Sequence, residues 1–249
     1  MRNTFLFSII IIALVVSIYG HSAAQGIPKI SIELEESEAP EDLSVALQIL
    51  IILTVLSLAP AIIILLTSFI RLIIVFSFLR QAVGTHQMPP NQLLIGLALI
   101  LTAFIMAPAI EQINKDAIQP YLTGEINQTQ AYEAGIEPLR DFMLRQTREK
   151  DLALFVSMAN IPQPESPKDL PTHLIIPGFV ISEMRIAFQI GFLLYIPFLV
   201  IDMVVASVLM SMGMLMLPPI MVSLPFKILL FVLVDGWYLI VKSVVMGFH

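Results

Sequence analysis

Cysteine is absent from the 249 residues, which excludes disulfides, thiolate zinc centres and thiol nucleophiles together. Charge is scarce as well. Asp, Glu, Lys and Arg make up 13% of the chain, about half the share of an ordinary soluble domain. The shortage is uneven: no acid stands between Asp42 and Glu111. The formal net charge of −6 excludes a nucleic-acid binder of the usual basic kind. His21, His86, His173 and His249 stand at no metal-ligand spacing. No Gly-rich phosphate loop, G-x-S-x-G turn or catalytic carboxylate pair occurs. These gaps predict a protein that is not an enzyme, with no catalytic residue, metal, cofactor or nucleic-acid partner.

What the chain has instead is apolar mass, 57% of its positions. A water-soluble fold of this size cannot hide so much apolar surface, so membrane lipid is expected to be part of the solvent. The N-terminus reads as a secretory signal peptide over residues 1–24. Arg2 is its basic start, Phe5 to Tyr19 its apolar stretch and Ser22-Ala23-Ala24 its small-residue cleavage site. The alternative is an uncleaved first transmembrane helix. An acidic linker follows over 25–42, with Glu33, Glu35, Glu36, Glu38, Glu41 and Asp42; runs of this kind are usually solvated.

Four hydrophobic segments come next, expected as two Pro-broken helical hairpins, residues 43–110 and 179–249, around a polar helical insert, 111–178. The first segment, Leu43 to about Ile70, is interrupted by Pro60; the second, Gln92 to Ile110, carries Pro108 near its end. The connector Arg71 to Asn91 holds Arg71, Arg80 and His86 and no acid, so the positive-inside rule places it in the cytoplasm. The insert then faces the periplasm. Glu137-Pro138 predicts a helix start with Pro at the first position. From there Leu139, Phe142, Met143, Leu152, Phe155, Val156 and Ala159 recur at threes and fours. This predicts one amphipathic helix of about twenty residues, with an apolar stripe that packs on a neighbouring subunit or on the membrane domain. The third segment, Ile186 to Met210, is expected to break at Pro197; the fourth runs from Phe226 to Phe248, after Pro218-Pro219 and Pro225.

Two features within the apolar segments invite a mechanism. Asp202, Lys227 and Asp235 are ionisable residues where unpaired charge costs several kcal/mol, so they should find partners. Lys227 and Asp235 lie about two helical turns apart, too far for contact, which favours an Asp202–Lys227 pair across segments. Such a pair can be a static packing device or part of a gate or proton relay. The second feature is methionine: Met203, Met210, Met212, Met214, Met216 and Met221 crowd around Gly213 just before Pro218-Pro219. Flexible thioether side chains ringed about an oligomer axis would close a pore and yield to a passing chain; the plainer reading is lipid-facing or core filler.

Particular strings then carry a resemblance. Thr67-Ser68-Phe69-Ile70-Arg71 and Leu79-Arg80-Gln81-Ala82-Val83-Gly84-Thr85-His86-Gln87-Met88-Pro89-Pro90-Asn91-Gln92 closely resemble the FliP family of flagellar export-gate proteins. So do Phe188-Gln189-Ile190-Gly191-Phe192, Pro197-Phe198-Leu199-Val200-Ile201-Asp202, Leu224-Pro225-Phe226-Lys227 and Val234-Asp235-Gly236-Trp237. The likeness runs in order from Leu43 to the C-terminus, and the signal-like start resembles the flagellar branch rather than its virulence-secretion relatives.

The resemblance implies an all-α membrane protein assembling into a helical oligomeric ring in the inner membrane, at the flagellar basal body. Its implied partners are further copies of itself, FliQ and FliR, with FlhA and FlhB; its cargo is unfolded export substrates driven by proton-motive force and a cytoplasmic ATPase. It implies a pore gasket at Met212, Gly213, Met214 and Met216, with Leu215 interrupting the run. It also implies subunit contacts at Phe142 and Phe155, and polar contacts at Glu183, Asp202, Lys227 and Asp235. Family hairpins need not cross the bilayer as four plain spans. The rival functions are an ion or small-solute transporter and a structural scaffold of the basal body.

Overall fold

A computed structural model describes residues 40–85, 88–159, 161, 166–214 and 216–248. The expected signal segment and most of the acidic linker lie outside the described residues. The chain divides into two units, Met1–Thr54 and Val55–His249. The described elements are helical throughout, with no strand among them.

Helix α1 spans Pro40–Leu66 and is bent at Pro60, where the missing N–H and the ring clash with the preceding turn weaken the ladder. Within the second unit its side chains Val55, Leu56, Leu58 and Ile63 are exposed. Helix α2, Phe69–Val83, follows at once. Most of the expected connector Arg71–Asn91 belongs to this helix, the most deeply packed of the fold. Leu72, Val75, Phe76, Leu79 and Ala82 recur at threes and fours, a stripe that buries on the core. Arg71 is buried with them, 1% exposed, so it is not a loop charge and the positive-inside count loses one of its two arginines.

Helix α3, Asn91–Ile113, runs on through Pro108 and past Ile110, where the second segment was expected to end. It continues into a π-helical turn, Asn114–Ile118, and a short α4, Gln119–Leu122. The Gln119 N–H reaches back five residues to the Asn114 carbonyl just before Pro120, which has no N–H to give. In the insert, α5 spans Gln128–Gln146 and α6 spans Glu149–Met158. The single helix expected from Glu137-Pro138 is therefore two. The start is set by Asn127, whose Oδ1 accepts the Gln130 N–H while the Gln130 Oε1 accepts the Asn127 N–H, both at 3.0 Å. Pro138 falls inside α5. Thr147 and Arg148 are extended and separate the two helices.

After a 3₁₀ turn, Pro167–Asp169, helix α7 runs unbroken for 40 residues, Thr172–Ser211. It contains Pro177 and Pro197, so the expected break at Pro197 is absent. It also begins inside the stretch assigned to the insert. Its length is about 60 Å, twice the thickness of a bilayer's hydrocarbon core. The fourth segment is likewise corrected to two helices. These are α8, Pro219–Leu233, and α9, Gly236–Met246, bent by 63° where Asp235 adopts a left-handed conformation (φ 50°, ψ 55°).

The core of the second unit forms where α2 lies along α7, with α3, α5, α6 and α9 around them. Phe76, Val75, Met143, Ile175 and Phe179 are buried there. The approach of α2 to α7 is close enough that a Cβ on Gly191 would lie 2.6 Å from the Phe78 ring. Phe142, Met143 and Leu152 turn the apolar stripe of the insert into this same core. The insert is thus packed on its own chain's apolar helices. By length and composition, α3 with its continuation to Leu122 and α7 could each cross a membrane, and up to four crossings result if each bent pair counts as one. Of the most apolar stretch of α7 only 11% is buried within the chain. So large an apolar surface needs lipid or other chains to cover it.

Candidate functional site

Three constellations stand out. The first is the turn between α7 and α8. The Gly213 N–H donates to the Met210 carbonyl and the Met214 N–H to the Leu209 carbonyl, both at 3.0 Å. Gly213 takes φ +74°. This pair of bonds with a left-handed glycine stops an α-helix and turns the chain sharply outward. The side chains around it are exposed: Met212 is 66% and Met216 97% exposed, with Met214 at 39%. Flexible thioethers held on a fixed turn and left bare are free to pack against something else. Leu215 lies outside the described residues.

The second is the ion pair of Lys227 on α8 with Asp202 on α7. The ammonium donates to the Asp202 Oδ2 at 2.6 Å and to the Ala82 carbonyl at 3.3 Å, and the Ser223 hydroxyl donates to Oδ1 at 2.6 Å. Lys227 is 3% exposed. The two acceptors of this ammonium come from different segments, so the pair fixes α7, α8 and the end of α2 together. Asp235 takes no part; it is exposed at the α8–α9 bend and caps no helix through its side chain.

The third is centred on Arg71. Its Nε donates to the Glu183 Oε2 at 2.8 Å and its Nη2 to the Glu183 Oε1, a bidentate pair in which both residues are essentially inaccessible. Nη1 donates to the Gly247 carbonyl and Nη2 also to the Gln146 Oε1, each at 2.9 Å. The guanidinium carbon lies 3.7 Å from the Phe248 ring centre. Four stretches far apart in sequence thus meet on one side chain. Phe142 is buried in the same region, stacked near Phe248 and edge-on to Phe179, whereas Phe155 is half-buried on α6. Phe142 is therefore occupied within its own chain.

Sequence reasoning missed a fourth cluster. Asp151, 7% exposed, accepts from the Ser182 hydroxyl at 2.5 Å and from the Arg148 guanidinium at 2.7–3.0 Å, while Ser182 Oγ accepts the Arg148 N–H at 3.2 Å. Burial alone would raise the Asp151 carboxyl; the bonds from Ser182 and Arg148 outweigh it and hold it below the usual range. This knot fastens α6 to α7 at the Thr147-Arg148 break. A polar triplet split between the insert and an apolar helix has no spacing signature. Arg71 is a lone charge in an apolar run, whereas Glu183 stands two residues from Arg185, so the sequence does not name that pair either. No group of three or more metal-binding side chains gathers among the described residues.

The sequence pattern of the FliP family matches residues 52–244. The chain belongs to the FliP family. It is 58% identical over 217 residues to the flagellar biosynthetic protein FliP of Bacillus subtilis, covering 87% of this chain and 98% of that one. Its identity to the FliP of Pectobacterium carotovorum is 51% over 206 residues, 83% of this chain and 80% of the other. To that of Aquifex aeolicus it is 49% over 225 residues, 90% and 92% of the two chains. The match takes in the four constellations apart from Gly247 and Phe248 beside Arg71, and FliP membership and an apolar helical surface together make this a membrane-associated component of flagellar biosynthesis.

Proposed function

We propose that this FliP-family chain is a core subunit of the flagellar protein-export gate in the bacterial inner membrane. Several copies join FliQ and FliR around one axis, next to FlhA and FlhB, and unfolded flagellar subunits pass between them. The insert of α5 and α6 faces the periplasm. The observation that carries this reading is the methionine turn. Met212, Met214 and Met216 leave their own chain bare on a left-handed glycine hinge, at the end of an apolar helix about two bilayer cores long. A ring of such turns fills an irregular pore when empty and repacks around a moving polypeptide. The buried Lys227–Asp202 pair holds the two helices that carry the turn, so that the ring keeps its diameter.

Met214→Ala combined with Met216→Ala in the living cell tests the proposal. A gate with a shortened gasket leaks small solutes across the inner membrane while still exporting. A scaffold does not leak, and an ion or solute transporter loses its own substrate flux without a general leak. A detergent-extracted complex containing a single copy of this chain overturns the reading.

A further inference from the structure

We propose that the cleft between α3 and α9 is a binding site for an anionic phospholipid, one acyl chain lying in the cleft and the phosphate held by Arg80 and Lys242. The cleft encloses about 650 Å³ and its walls are almost wholly apolar: Leu97, Leu101 and Phe104 on α3, and Trp237, Val241 and Val245 on α9. The α3 residues fall at i, i+4 and i+7 and those on α9 at i, i+4 and i+8, so each helix offers one continuous stripe to the slot. Phe104 is 67% exposed, so the slot is open along its length rather than sealed.

Charge complementarity selects the occupant. No acid lines this cleft. Lys242 stands on its wall, exposed, with no ion pair among the described residues and its ammonium 5.6 Å from the Tyr238 ring centre. Trp237 also walls a smaller neighbouring cavity of about 260 Å³. That cavity contains Arg80 and Thr85 and again no acid. Arg80 is half-buried and donates to the neutral Asn91 Oδ1, with no acidic partner among the described residues. Lys242, an indole and a phenol thus border the apolar slot, and Arg80 and a hydroxyl border the cavity on the other side of that indole. A wholly apolar partner helix would satisfy the slot and leave both cations unanswered; an anionic lipid supplies both the apolar chain and the charge. Tryptophan and tyrosine at such a boundary are the residues that sit at headgroup level. The inference requires residence in a membrane and does not depend on the methionine turn.

Trp237 is the chain's one tryptophan and reports on the site directly. The full-length protein in mixed detergent–lipid micelles is titrated with phosphatidylglycerol or phosphatidylcholine carrying the same brominated acyl chains, and quenching of the indole is followed. Brominated phosphatidylglycerol is expected to reach half-quenching at a lipid fraction at least about five times lower, each cation contributing about that factor. Arg80→Gln with Lys242→Gln brings the two lipids together without lowering quenching at saturation, whereas Arg80→Lys with Lys242→Arg keeps the preference. Lys115→Gln, which removes an exposed lysine on the π turn, leaves it unchanged. Equal half-points in the unaltered protein mean unselective lipid contact and overturn the proposal. So does the absence of quenching by either lipid, which means that protein fills the slot, and so does an equal loss in Lys115→Gln. The unaltered protein and Lys115→Gln decide the matter even if the double variant fails to fold.

Discussion

Replacing Glu183 by Gln removes one charge and almost no volume from a site where Arg71 has no access to water. The carboxylate accepts two bonds from the guanidinium, one of them at 2.8 Å, and both side chains are 1% exposed or less. A glutamine keeps one accepting oxygen and turns an N–H₂ group toward the cation, so one charge-assisted bond is lost and the guanidinium stays buried without its counter-charge. Breaking a buried pair from one side costs about 3–5 kcal/mol. The Gly247 and Gln146 oxygens and the Phe248 ring remain to serve Arg71, which argues for the low end, about 3 kcal/mol. By the scaling of folded domains of this size, that is a drop of about 6–12 °C in melting midpoint, read from helical circular dichroism in detergent. The double change Arg71→Met with Glu183→Leu removes both charges and keeps apolar bulk, and should recover most of the loss. A Glu183→Gln protein within about 1 kcal/mol of the parent, or a double variant no more stable than the single one, would show that the pair does not hold these helices together.

Lys227→Ala should abolish swimming motility in soft agar while Lys115→Ala leaves it largely intact, because Lys227 is buried on Asp202 and Lys115 is exposed; equal, mild effects would count against the role given to the α7–α8 pair. Gly191→Ala should lower the melting midpoint by an amount corresponding to about 1–3 kcal/mol, since the new methyl meets the Phe78 ring at 2.6 Å and the α2–α7 contact must open. Asp151 gives a pH signature. Its folded carboxyl titrates below the usual range, so the unfolded chain binds more protons there and stability rises with pH. The contribution is complete above the ordinary carboxylate value and is lost as pH falls through the depressed one. A series of melts from neutral to acid pH should show this loss in the parent protein and a shallower slope in Asp151→Asn; identical slopes would refute it.

Composition alone made this a membrane protein, because 57% apolar residues with 13% charge leave no soluble alternative. The order of the strings from Thr67 to Trp237 pointed to the family that the comparisons then gave. Helix boundaries were less legible. Pro197 was read as a break, Pro108 as lying near a segment's end and Pro138 as a helix start, yet all three sit inside helices; in the apolar helices a chain with its carbonyls packed or shielded has no better conformation to adopt. The real breaks fall at Arg148 and Asp235, where side-chain bonding or a left-handed residue ends the ladder. Neither announces itself by residue type.

The sequence by itself determined that Asp202 and Lys227, ionisable residues in apolar runs, had to find an opposite charge or a dipole. For these two, the spacing even named the partner. What only the tertiary structure decided was that Arg71 belongs to Glu183, 112 residues away, and that the apparent loop bearing it is the packed centre of the fold. Hydrophobic and charge patterns are local along the chain, whereas pairing is a property of distance in space. A sequence states the need for a counter-charge long before it says where the fold will supply one.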